Sequence, residues 1–136
     1  MQGFHLKKND HVAIDGRPCK VVDVSFREDD HGNAFIDLVG VDIFTGKVLK
    51  HQSLSSDNFV IPDVVRQVFA LVNIDDGYLN LMSSDGVSKD DLQLPEGDLG
   101  RQLMSDFEEG KDLEIIVLST MGMQGVNGFK EAKHRQ

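Results

Sequence analysis

Apolar and polar residues alternate along most of this chain, the period-two pattern of half-buried strands. His11-Val12-Ala13-Ile14-Asp15 is a short β-rich run, closed by Asp15-Gly16, a pair with hairpin turn chemistry. Cys19 to Phe26 follows, with Val22, Val24 and Phe26 on one face and Cys19 and Val21 on the other. Ala34 to Phe44 is the longest candidate strand, and Gly40 interrupts its alternation, which predicts a bulge or a sharp bend there. Thr45-Gly46 turns the chain into Lys47 to His51. Asn58 to Ile61 ends at Pro62, which cannot donate to a ladder and so marks a strand end. Five short strands in the space of about 60 residues predict a small closed barrel.

Pro62-Asp63 is the predicted boundary, because the pattern restarts after it. Val65 to Ile74, a turn at Asp75-Asp76-Gly77, Tyr78 to Met82, a turn at Asp85-Gly86 and a short strand from Asp91 to Leu94 follow in order. Beyond Pro95 the period changes. Leu99, Leu103, Met104 and Phe107 form one apolar face of a helix, with Asp98 placed to cap or stabilise its start and Gly110 to end it. Leu113 to Met121 reads as a strand, and Val126 to Lys133 as a weak terminal helix. Strands, one helix and a last strand fit an oligonucleotide/oligosaccharide-binding (OB) barrel. Two small β-barrels in series are therefore expected.

Charge narrows the partners. Fourteen Lys and Arg against 23 Asp and Glu give a net charge of −9, which argues against DNA coating by sequence-blind counterion release but leaves local contacts open. A single cysteine supplies neither a disulfide nor a cysteine zinc cage, and points to a reduced, cytoplasmic setting. Apolar runs such as Ile115 to Leu118 are too short to span a membrane, and the first eight residues lack the apolar core of a secretory signal.

Candidate chemistry is sparse. Ser53 near His51 has no glycine elbow around it, and Gly122, Gly125 and Gly128 lack a dinucleotide or phosphate-loop pattern. Asp75-Asp76 and Glu108-Glu109 read as solvated charges, and Cys19 as a small buried thiol. Phe59, Phe69 and Phe107 are placed like core residues, and Tyr78 as rim or core packing rather than a base-stacking platform. Glu28-Asp29-Asp30-His31 is an incomplete ligand set without EF-hand spacing, so no metal, no cofactor and no catalytic residues are expected.

Several strings carry more than pattern. Leu6-Lys7-Lys8-Asn9, Gly16 to Val22, Leu38 to Lys47, Asp76 to Met82 and above all Asp91-Leu92-Gln93-Leu94-Pro95-Glu96-Gly97-Asp98-Leu99-Gly100 stand in this order. Together they resemble the eukaryotic translation initiation factor 5A family from about Leu6 to Met121. The resemblance implies an SH3-like barrel over residues 1–63 and an OB-fold domain over 64–136. It also implies a role in translation elongation or initiation, with ribosomal RNA and tRNA as partners and neither DNA nor membrane. A homodimer stays open.

The resemblance also singles out one loop. In the family, a lysine at the tip of a basic loop in the first barrel is converted by two enzymes into hypusine, a long cation that reaches the peptidyl-transferase region. Here the loop is Arg27, Glu28, Asp29, Asp30, His31, Gly32 and Asn33, and Asp30 falls where the modified lysine is expected. No lysine stands between Lys20 and Lys47. A carboxylate has no ε-amine to accept an aminobutyl group, so this resemblance implies a member without hypusine. An interaction protein on the same scaffold, such as the self-assembling major Woronin-body protein of filamentous fungi, and a competitor of a modified relative are the alternatives.

Overall fold

The computed structural model describes residues 1–132. The chain divides after Val64 into two compact units. The first begins with a 3-10 turn, Gly3–His5, followed by β1 (His11–Ile14), β2 (Arg17–Glu28), β3 (Ala34–Asp42) and β4 (Val48–Leu54). These pair antiparallel in chain order as a four-stranded sheet, the SH3-like half of the fold. Its core is built from Leu6, Val12, Ile14, Val21, Ile36 and Leu38 around Cys19. Burial pushes the Cys19 thiol pKa up, as the small-hydrophobe reading expects.

The bulge lies one strand away from its predicted place. Val21 pairs with Gly40 and Asp23 with Val39, so Val22 is the extra residue and β2, not β3, carries the irregularity. This corrects the expected faces. Cys19 and Val21 are fully buried, Val22 is turned out, and beyond the bulge the inward phase passes to Val24, which packs on the core. Gly40 has a different cause: a Cβ there would sit 2.8 Å from Ile14 Cδ1 and 3.0 Å from Cys19 Cβ. Close packing, not backbone conformation, demands glycine.

A fifth strand in this unit was expected at Asn58 to Ile61, and the segment is not one. It makes a single bridge, Gln2 with Asn58, and two further hydrogen bonds, in which the Met1 amine donates to the Phe59 carbonyl and Ala13 N–H to the Val60 carbonyl. Val60 and Ile61 are exposed, so no alternating face holds the segment in a ladder.

The far end of the β2–β3 hairpin is pinned electrostatically. Asp42 is buried, and its carboxylate accepts hydrogen bonds from Arg17 Nε at 2.7 Å, Phe44 N at 2.8 Å and Thr45 N at 3.2 Å. Burial alone would raise its pKa. Arg17 and the two backbone donors outweigh that and hold it at about 2.

The second unit holds β5 (Val65–Asp75), β6 (Tyr78–Met82), β7 (Ser88–Gln93), α1 (Gly97–Glu108), β8 (Leu113–Thr120) and β9 (Met123–Glu131). Its sheet order is β7-β6-β5-β8-β9, with the helix lying between β7 and β8 in the chain, an OB-fold sheet. The β5–β6 hairpin turns on Asp76 and Gly77, both at positive φ, as an Asp-Gly turn of the mirror-image type requires. Leu103 of α1 is fully buried among Phe69, Leu79, Leu81, Ile115 and Val117, and Phe107 packs alongside. Each such buried side chain contributes about 1.5–3 kcal/mol. Glu96, not Asp98, occupies the N-cap and makes no side-chain cap; Asp98 lies in the first turn, paired with Arg101.

The expected terminal helix from Val126 is strand β9, and its final residue, Lys133, lies outside the described residues. Gly125 and Gly128 are poor helix formers, and β8 has an open edge for β9 to pair with. A bulge at Asn127, between the Val117–Val126 and Ile116–Gly128 pairs, disguises the alternation.

Candidate functional site: the loop between β2 and β3

The singled-out loop is an ordered turn organised by one carboxylate. Asp29 Oδ1 accepts from the backbone N–H groups of His31 and Asn33, both at 2.9 Å, and Oδ2 accepts from Asn33 Nδ2 at 3.0 Å. Two backbone bonds close the turn: Asp29 N–H to the Asn33 carbonyl at 3.0 Å and Gly32 N–H to the Asp29 carbonyl at 3.1 Å. Gly32 sits at φ +79°, which a β-carbon would oppose. The Asn33 side chain, then the Asn33 and His31 backbone donors, and finally Arg27 hold the Asp29 pKa below the usual carboxylate value. Asp29 therefore acts as the loop's frame, while Glu28, Asp30 and His31 are exposed around it.

Arg27, the loop's one permanent cation, is turned back onto the sheet. Its Nε lies 3.2 Å from Asp37 Oδ2 and its guanidinium carbon 4.6 Å from the Phe35 ring centroid. Asp37 is held in turn by Gln52 Nε2 at 2.9 Å. Sequence reasoning grouped Arg27 with its neighbours in the loop; the structure groups it with Phe35, Asp37 and Gln52 of β3 and β4. Strand register was the missing signal, since Arg27 pairs with Phe35 and Asp37 with Gln52. Among the described residues, the acidic tip is thus left without a neutralising partner of its own.

Other candidates separate in space or take on packing roles. The His51 ring meets Phe59 edge-on at 5.6 Å, while Ser53 Oγ donates to the Leu54 carbonyl at 3.5 Å, so the two do not form a relay. Tyr78 is exposed and accepts a hydrogen bond from Gln93 Nε2 at 3.2 Å. Among the described residues, no three His, Cys, Asp or Glu side chains converge on a point where a metal ion would bind, and no helix is long and apolar enough to cross a membrane.

Comparison with known proteins places this two-sheet chain. Residues 1–57 match the family model described as "Translation initiation factor 5A-like, N-terminal", and residues 63–130 the one described as "Eukaryotic elongation factor 5A hypusine, DNA-binding OB fold". The chain belongs to the translation factor 5A family. It is 53% identical to eukaryotic translation initiation factor 5A-2 of Schizosaccharomyces pombe over 90% of its own length and 73% of that protein's. Against factor 5A-2 of Saccharomyces cerevisiae the figures are 49%, 97% and 85%. A factor 5A family structure from Naegleria fowleri superposes with a TM-score of 0.87 at 34% identity, covering 96% of both chains. Factor 5A from Methanococcus jannaschii, at 22% identity and a TM-score of 0.71, shares the fold. The family is one of translation factors, and its two matched regions correspond to the two sheets described above.

Proposed function

We propose that this chain is a factor 5A that binds the ribosome, and its RNA, without hypusine. The observation that carries the reading is that the β2–β3 loop, residues 27–33, holds no lysine; Asp30 is read, by the resemblance, as the counterpart of the modified residue. Hypusine requires a primary amine, and the loop's only permanent cation, Arg27, is engaged with Asp37 and Phe35. Family membership over both units supports ribosome association in the cytoplasm. The acidic tip supports a contact weaker than that of a modified relative, because exposed carboxylates facing RNA phosphates repel them.

Residues 1–63 and 64–136 serve in this reading as separate domains, the first presenting the loop Arg27–Asn33 and the second acting as an OB module. Co-sedimentation with ribosomes over a salt series, together with intact mass, tests it. The protein should pellet with ribosomes at low salt and carry no aminobutyl adduct. Replacing Glu28 and Asp30 with lysine should strengthen pelleting, and more so at low salt. Failure to pellet at any salt would overturn ribosome binding and favour the interaction-protein alternative. An adduct on Lys20 or Lys47 would overturn the assignment of Asp30.

A further inference from the structure

The positive charge of the first unit that is not held in ion pairs lies on lysines far from the loop tip. Both arginines of the unit are engaged, Arg17 with Asp42 and Arg27 with Asp37. Lys7, Lys8, Lys20, Lys47 and Lys50 are all exposed, and none forms an ion pair with a described carboxylate.

Register gathers two of these lysines, Lys20 and Lys50, on one face. His11, Lys20, Val41 and Val48 form one row across all four strands, and directly paired residues share a face. Lys50 stands opposite Val39 in the next row of that same face. Two strand spacings across and two residues along place the Lys20 and Lys50 backbones about 12 Å apart, a gap their flexible stems can halve. Residues 7–10 run alongside the same part of β2, with Asn9 N–H donating to the Val21 carbonyl at 2.8 Å and Val21 N–H to the Asp10 carbonyl at 2.9 Å. Lys47 leads into β4. The carboxylates nearby are Asp10, which accepts from the Lys7 backbone N–H at 3.0 Å, Asp15 in the β1–β2 turn, Asp23 across β3 from Lys50, and Asp37 one row further along the same face, already paired with Arg27. Five lysines outnumber them.

We propose that this lysine face of the β1–β4 sheet, not the β2–β3 loop, is where the first unit binds RNA backbone phosphates. The proposal rests on the ribosome-binding reading above and moves its main anionic contact. Phosphate recognition needs point charges in a row and no pocket. A protein partner would need a buried apolar anchor, whereas the large exposed apolar side chains of this face, Val22, Val48 and Leu54, stand at separate register positions of the sheet. The excess acid of the second unit makes such binding weak and strongly salt-dependent.

Fluorescence anisotropy of a labelled RNA hairpin with the full chain, from low to physiological salt, tests it. Lys20→Glu with Lys50→Glu should weaken binding roughly tenfold or more and flatten the log–log salt slope by about one to two. Lys20→Gln with Lys50→Gln should give a smaller loss in the same direction, and Asp30→Asn a change below about twofold. Amide spectra confirm that each variant folds. Unchanged RNA binding in the charge-reversed variant would overturn the proposal, as would tighter binding of a polyglutamate peptide than of RNA at the same lysines. Ribosome pelleting separates the two readings. If wild type pellets and the double variant pellets equally, this inference fails and ribosome binding stands. If wild type never pellets while hairpin binding follows the lysines, ribosome binding fails and the phosphate surface stands.

Discussion

Removing the charge of Asp42 should destabilise the first unit by an amount that depends on pH in a calculable way. Its pKa falls from an ordinary 3.8 to about 2. A tenfold change in an ionisation constant corresponds to about 1.4 kcal/mol of preference for the ionised form, so the charge contributes about 2 kcal/mol at neutral pH. The partly exposed Arg17 guanidinium lets solvent screen some of this. Asp42→Asn should therefore cost about 2 kcal/mol or slightly less. Asp42→Ala should cost about 3, because the Phe44 and Thr45 N–H groups also lose their acceptor.

Because the folded pKa is the depressed one, the contribution is complete above the unfolded value and disappears as pH falls through the folded value. Roughly half is gone by pH 3. Urea denaturation of wild type and Asp42→Asn at pH 7 and pH 3 measures the difference. Amide exchange assigns it, with β5–β9 as an internal reference. Equal differences at the two pH values, or a loss confined to the second unit, would refute the reasoning.

Asp29→Ala should raise amide exchange across residues 29–33 by at least about tenfold while leaving the denaturation midpoint unchanged, since the bonds it removes are confined to an exposed turn. Gly40→Ala should destabilise the first unit by about 1–3 kcal/mol in the same denaturation assay, because the new methyl meets Ile14 and Cys19. Limited proteolysis should cut first between Val60 and Val64, where the chain leaves one unit for the other, and before any cut in β3 or β8.

What the sequence showed depended on how local the cause was. The β5–β6 hairpin was legible because Asp76-Gly77 dictates its turn and Leu79 and Leu81 alternate inward. The helix was legible because Leu103 and Phe107 recur at helical spacing before Gly110. Three features were not. The Val22 bulge depends on which residue of β3 stands opposite, and β9 on an open edge far away in sequence. Asn58 to Ile61 has strand composition but nothing to pair with beyond one bridge. At the candidate site, the residues of the loop were legible as a group, whereas Asp29's bonds to the turn and Arg27's capture by Asp37 depend on three-dimensional placement.

Those two contacts determine what it would take to return the loop to a cationic state. Residues 27–33 carry Arg27 against Glu28, Asp29 and Asp30, a net −2 with histidine neutral. Asp30→Lys alone brings the sum only to zero, with Arg27 still engaged on the sheet. Replacing Asp29 instead would remove the acceptor that holds His31 and Asn33, so the charge gained would come with a loosened turn. Glu28 and Asp30 have no such bonding role, and reversing both yields +2 on an intact frame. Two opposite unit charges at contact interact by about 4 kcal/mol at an effective dielectric of 20, less when solvated and screened. Lysines at 28 and 30 together should accordingly strengthen low-salt ribosome pelleting by more than the sum of the single replacements' effects at physiological salt, whereas the same pair combined with Asp29→Ala should lose part of that gain. If the triple replacement pelleted as well as the double, the Asp29 frame would have no part in presenting the tip.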